Sequence, residues 1–106
     1  MRIEKRTVAG NTVLDVAGQI RGVDVASFRQ AIQECQRGGE LLLVANMREV
    51  SFIDSAGVGM LIHCLQELKA QGGDLRLLNL PDDIHDLFEM VAIDRFFAIL
   101  LDESEI

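Results

Sequence analysis

Hydrophobic and polar positions along this chain follow two periods, and the changes from one to the other divide it into elements. From Arg2 to Ala9 and from Asn11 to Ala17 the period is two, as in half-buried strands, with Gly10-Asn11 between them as a turn that tolerates positive φ. A hairpin is expected, with Leu14 and Val16 alternating against Val13, Asp15 and Ala17, and Asp15 marking the wetter face. Gly18-Gln19-Ile20-Arg21-Gly22 reads as a loop bounded by glycines. Asp24 then reads as an N-cap, and Val25, Phe28, Ala31, Ile32 and Cys35 recur at helical spacing until Gly38-Gly39 stops the helix.

Leu41 to Ala45 is a continuous apolar run. It reads as a central strand buried on both faces, which requires helices on both sides of the sheet. Met47 to Phe52 crosses from it towards a second helix that starts near Ser55. Val58, Leu61, Ile62, Leu65 and Leu68 form the buried stripe of that helix, while Gly59, His63, Gln66, Glu67 and Ala70 face away. Gly72-Gly73 ends it, and Leu75, Leu77, Leu78 and Leu80 mark a further strand. Pro81 opens a third helix with Asp82 and Asp83 in its first turn, where the dipole favours them, and Ile84, Leu87, Phe88 and Val91 on its apolar side. Phe96 to Leu101 is a last strand or extended segment, and Asp102 to Glu105 a frayed acidic tail. The order β-β-α-β-α-β-α-β implies parallel pairing through right-handed crossovers, with the hairpin as an antiparallel edge. The expected fold is one α/β domain over residues 1–106: a mixed sheet with three to four packed helices.

Composition narrows the function classes. Of 106 residues, 17 are acidic and 10 basic, a net charge of −7 that repels phosphate backbones and anionic membranes. The absence of Trp and Tyr argues against stacking platforms for bases or sugars. Cys35 and Cys64 lie inside helical apolar patterns with no metal spacing and read as small buried hydrophobes in a reducing compartment. The N-terminal residues lack the apolar run of a signal peptide, and no stretch approaches the ~20 apolar residues of a membrane span, so a cytoplasmic location is expected.

Candidate chemistry gathers in Val50-Ser51-Phe52-Ile53-Asp54-Ser55-Ala56-Gly57-Val58-Gly59, a strand-turn-helix passage of the kind where α/β sheets place their sites. Ser55 reads as a helix N-cap whose hydroxyl also reaches solvent. Gly57 and Gly59 each cost about 1 kcal/mol against Ala inside a helix. Either they allow close packing on the sheet or they keep a bare surface around Ser55. Gly59, off the apolar stripe, favours the second. A nucleophile elbow is disfavoured, since Ile53 stands where such an elbow wants Gly and neither His63 nor His85 is placed as the base. No metal-ligand spacing or nucleotide loop is present, and no cofactor is expected.

Phe52-Ile53-Asp54-Ser55-Ala56-Gly57-Val58-Gly59 resembles the F-x-D-S-x-G-x-G pattern of the STAS domains, and within them of the anti-sigma factor antagonists. Val16-Ala17-Gly18, the strand at Leu41 to Ala45, Leu77-Leu78-Asn79-Leu80-Pro81 and the closing segment through Phe97 extend the resemblance over nearly the whole chain. It implies that Ser55 is phosphorylated by a serine/threonine kinase that is itself an anti-sigma factor, that the unphosphorylated domain binds this kinase and the phosphorylated one releases it, and that a PP2C-like phosphatase resets the cycle. The domain would then catalyse nothing. The implied partner surface comprises Gln19, Arg21, Asp54, Ser55, Ala56, Gly57, Gly59, Met60 and His63. Many members carry acids around the positions of Gln19 and Arg21, and an Asp at that of Asn46. Arg21 could therefore pair with Asp54 or with a phosphate on Ser55, beside the plainer reading of a solvated arginine. A second function consistent with the resemblance is a STAS scaffold or accessory subunit, in a stress-signalling complex or a lipid transporter.

Overall fold

A computed structural model describes residues 1–106. Strands β1 (Arg2–Val8) and β2 (Asn11–Ile20) pair antiparallel in the register that sets Val8 opposite Asn11. The turn is therefore Ala9-Gly10, with φ of 51° and 78°, and not Gly10-Asn11. A two-residue hairpin loop needs positive φ at both central positions, and here alanine accepts it. Asn11 opens β2 instead, and its side-chain amide donates to Ala9 O at 3.1 Å.

The remaining elements are α1 (Val23–Arg37), β3 (Leu42–Ile53), α2 (Ser55–Ala70), β4 (Asp74–Leu78), α3 (Asp82–Met90) and β5 (Ile99–Leu100), with short 3-10 turns at Asp94–Phe96 and Glu103–Glu105. The sheet runs in sequence order, β1-β2-β3-β4-β5, and every pair after the hairpin is parallel. This is the mixed α/β fold expected from the element order, with three helices.

The placement of those helices differs from expectation. Phe28 and Ile32 of α1, Leu61, Cys64 and Leu68 of α2, and Ile84 and Phe88 of α3 all join one apolar cluster with Leu14, Val16, Leu43, Ala45, Leu75 and Leu77. When each parallel strand is laid beside the previous one by crossovers of one hand, every helix falls on the same face. The other face has its own small cluster of Val13, Val44 and Leu78, covered by Val8, Leu100 and Ile106. Leu42, at the start of the presumed doubly buried strand, is half exposed.

The C-terminal segment helps close that second face and is not frayed. Asp102 and Glu105 form a capping box around the last 3-10 turn, and Glu103 pairs with Arg6. Next to it, Arg6 Nε lies 2.6 Å from Asp15 Oδ2, and Asn46 Nδ2 donates to Asp15 Oδ1 at 2.8 Å. Burial pushes the Asp15 carboxyl up, but the hydrogen bonds from Arg6 and Asn46 outweigh it and hold the group below its ordinary value.

β3 is one twelve-residue strand where two segments were expected, and β2 continues through Gly18 to Ile20 where a loop was expected. The register explains both. Between Asp15↔Asn46 and Ala17↔Glu49, and again between Gly18↔Val50 and Gln19↔Phe52, β3 advances one residue more than β2. Each extra residue is a bulge that turns the strand by one position. Met47, Val50 and Ile53 are consequently all buried at a spacing of three, a pattern that reads as neither strand nor helix.

Two smaller corrections concern the helices. Gly22, at φ 57°, is the residue before α1 and provides no side-chain cap; Asp24 lies inside the first turn. On α3 only Ile84 and Phe88 are buried, while Leu87 and Val91 are exposed, because the helix spans nine residues and meets the sheet along one narrow line. The last strand is limited to Ile99–Leu100, with Phe96 exposed and Phe97 buried.

Candidate functional site

β2 and β3 end side by side, with Ile20 opposite Ile53, so the chain leaving β3 starts α2 beside the segment that leads into α1. Asp54 joins these parts. Its backbone N–H donates to Ile20 O at 3.1 Å, and its extended backbone (φ −88°, ψ 175°) places it as the N-cap of α2. One carboxylate oxygen accepts from Gly57 N–H at 2.7 Å, and the other accepts from Gly22 N–H at 3.4 Å. The cap is thus Asp54 and not Ser55. Ser55 is the first helical residue, exposed, with its hydroxyl left to solvent.

This arrangement has a chemical consequence. The first N–H groups of a helix lack partners inside it and, with the dipole, favour an anion. Asp54 satisfies one of them. A phosphoryl group on the Ser55 oxygen would stand in the same field, with the Asp54 carboxylate as its immediate like-charged neighbour.

The two glycines serve different ends. A Cβ at Gly57 would lie 2.7 Å from Ile53 Cγ1 and 3.1 Å from Ile20 Cγ2, so this glycine lets α2 sit on the strand ends. A Cβ at Gly59 would meet nothing within 4 Å. Gly59 instead opens a shallow groove between α1 and α2. Val25, Ala26 and Arg29 line it from α1, and Ala56, Gly59, Met60 and His63 from α2, with Gly22 at one end.

A model of the STAS domain matches residues 2–106. The chain belongs to the STAS domain family. The anti-sigma-B factor antagonist of Listeria monocytogenes is 28% identical to it over 90 residues, covering 85% of this chain and 79% of that protein. Among solved structures, the unphosphorylated anti-sigma factor antagonist SpoIIAA superposes with a TM-score of 0.80 at 22% identity, covering 98% of this chain and 92% of that one. The phosphorylated Bacillus SpoIIAA gives a TM-score of 0.75 at 23% identity, covering 98% and 96%. An anti-sigma factor antagonist of Mycobacterium paratuberculosis gives 0.86 at 18% identity, covering 98% and 88%. These structural likenesses establish the same fold.

Within this STAS domain the residues singled out from the sequence do not all meet. Ala56, Gly59, Met60 and His63 share the groove, but Met60 is buried and forms part of its floor. Gly57 lies beneath the surface against Ile20 and Ile53. Gln19 is exposed on β2 opposite Phe52. Arg21 pairs with no carboxylate; its guanidinium stands 5.9 Å from the centroid of the Phe52 ring, a cation–π distance. The sequence reading missed Gly22, Val25, Ala26 and Arg29. Val25 belongs to the apolar pattern of α1 and Arg29 does not, and only the approach of α2 brings the two to one groove.

The other reactive groups are occupied or shielded. His63 Nε2 is 2.8 Å from Glu67 Oε1, which directs the ring along α2, not back to Ser55. His85 Nδ1 is 3.0 Å from Glu89 Oε1 on α3. With Asp86 these form a set of metal-ligand type, their atoms within 4.8 Å, but the histidine and Glu89 already engage each other at i,i+4. Cys35 and Cys64 are buried; burial raises both thiols, that of Cys64 to about 11, so both stay protonated at neutral pH. No helix is long and apolar enough to cross a membrane.

Proposed function

We propose that this STAS domain is an anti-sigma factor antagonist whose binding is switched at Ser55. The reading is that the unmodified domain binds a cytoplasmic anti-sigma factor with serine/threonine kinase activity, that this kinase phosphorylates Ser55, and that a PP2C-like phosphatase restores the hydroxyl. The domain itself acts by binding. The observation that carries the reading is that Asp54 makes the cap, leaving the Ser55 hydroxyl exposed at the N-terminus of α2 beside an open groove. The names of the relatives, which include SpoIIAA in phosphorylated and unphosphorylated forms, support the same class.

The switch follows from local charge. Phosphate adds about −1.5 to −2 charges at neutral pH. In the free domain that charge faces water and the positive end of α2. In a complex it must be desolvated against Asp54 and the partner. A penalty of roughly 3 kcal/mol lowers affinity about a hundredfold.

The test is incubation of the purified chain with the anti-sigma kinase of its own genome and ATP, followed by intact mass and peptide mapping. Addition of one phosphate, lost in Ser55→Ala, is expected. An unmodified chain, or phosphate on another residue, would overturn the assignment.

A further inference from the structure

The groove between α1 and α2 differs in charge from the acidic molecule around it. The chain carries 17 acidic and 10 basic residues, yet the groove lining contains Arg29 and no carboxylate, and its His63 is already turned to Glu67 at 2.8 Å. Arg21 adds a second guanidinium at the Gly22 end, held over the Phe52 ring. Neither Arg21 nor Arg29 has an acid within salt-bridge distance, as is also true of Arg37, Arg48, Lys69, Arg76 and Arg95, but these two stand together at one groove. The carboxylate of Asp54 is engaged by the N–H groups of Gly57 and Gly22.

The surface between these cations is apolar. Val25, Ala26, Ala56 and Met60 form the trough, and Gly59 removes the side chain that would otherwise fill it. Val23, next to Gly22 in sequence, is 83% exposed, and Phe52, under the Arg21 guanidinium, is 43% exposed. A surface that only keeps the domain soluble would show charges of both signs and no bare trough.

We infer that this groove docks an acidic amphipathic segment of the anti-sigma partner. An aliphatic side chain of that segment lies over Gly59 between Val25 and Ala56, one carboxylate meets Arg29, and a second reaches Arg21. The inference rests on the antagonist reading and adds to it the chemistry of the surface recognised. It also gives phosphorylation a second effect. A phosphate on Ser55, one residue before Ala56, attracts the same guanidinium groups, so it repels the partner's carboxylates and occupies the cations that would bind them.

The test uses the full chain and the anti-sigma kinase of its own genome, with binding measured by calorimetry in about 50 and about 500 mM salt. Wild type, Arg29→Glu, Arg29→Lys and the double variant Arg21→Glu/Arg29→Glu are compared, with melting curves as the control for folding. Affinity should fall at least about tenfold in Arg29→Glu, fall further in the double variant, and survive in Arg29→Lys. The salt dependence should shrink in the glutamate variants, and a Glu→Lys change in the partner's docking segment should restore their binding. If wild type binds and the double variant binds within about twofold of it, the inference is overturned while the antagonist reading stands. If wild type binds no such kinase, both fall. A dimer of this chain that the double variant dissociates, seen by sedimentation, would also overturn the inference, since the groove would then hold a second copy.

Discussion

The N–H of Gly57 donates to Asp54 Oδ1 at 2.7 Å, and this bond determines the role of Ser55, the residue that follows Asp54. A side chain that caps a helix is tied to the backbone two or three residues on. With Asp54 in that position, Ser55 enters the first turn with its oxygen free. The stability of α2 and the reactivity of the hydroxyl thus reside on adjacent residues and can be altered separately.

Separate alteration is the first expectation. Asp54→Ala should cost about 1 kcal/mol through the lost cap, within a range of about 0.5–2. For a domain of this size each kcal/mol corresponds to roughly 4–8 °C in Tm. Ser55→Ala should stay within about 0.5 kcal/mol of wild type, as exposed substitutions usually do. Thermal melts by circular dichroism would reverse this order if Ser55 were the cap.

The two glycines provide an opposed pair. Gly57→Ala forces a methyl to 2.7 Å from Ile53 Cγ1 and should destabilise by about 1–3 kcal/mol. Gly59→Ala meets open space, so it should stabilise by about 0.5–1 kcal/mol through helix propensity. It nevertheless places a methyl in the groove and should weaken partner binding. Urea midpoints give the first comparison, and calorimetry with the kinase gives the second.

Acid should weaken the domain through two carboxylates held by partners in the folded state. The carboxyl of Asp15 is held below its ordinary value by Arg6 and Asn46, despite burial, and that of Glu40 by hydrogen bonds from Lys5 and Thr12. A folded-state pKa below the unfolded one contributes stability that is complete above the unfolded pKa and is lost as pH falls through the folded one. Urea midpoints should therefore drop steeply from about pH 4 downwards, and Asp15→Asn should flatten that part of the profile. A slope unchanged by Asp15→Asn would contradict the assignment.

Much of the fold was legible because its parallel units repeat a simple pattern. Apolar runs such as Leu41 to Ala45 alternate with 3.6-period stretches such as Phe28 to Cys35, and Gly pairs stand between them. The face on which the helices lie was not legible. Leu43 and Val44 are equally apolar, and only strand order makes one meet helices and the other meet Ile106. The end of β3 was obscured by its bulges, which set Met47, Val50 and Ile53 on one face. At the site, Asp54 and Ser55 are both good capping residues, and the expectation fell on Ser55 because residue type alone does not say which of the two the backbone places at the helix boundary. Gly59 was legible from its place off the apolar stripe, whereas Gly57 was left open between packing and a bare surface, because neighbours decide what a missing Cβ makes possible. Arg29 was hidden by distance along the chain, since only the packing of α1 against α2 brings it near Ala56 and Gly59.

The most direct measurement is the affinity of the same kinase for the unmodified chain and for the chain quantitatively phosphorylated at Ser55, under one salt condition. Unmodified protein should bind, and phosphorylated protein should bind about a hundredfold more weakly or not at all. Equal affinity of the two forms would contradict control by the charge on that one oxygen.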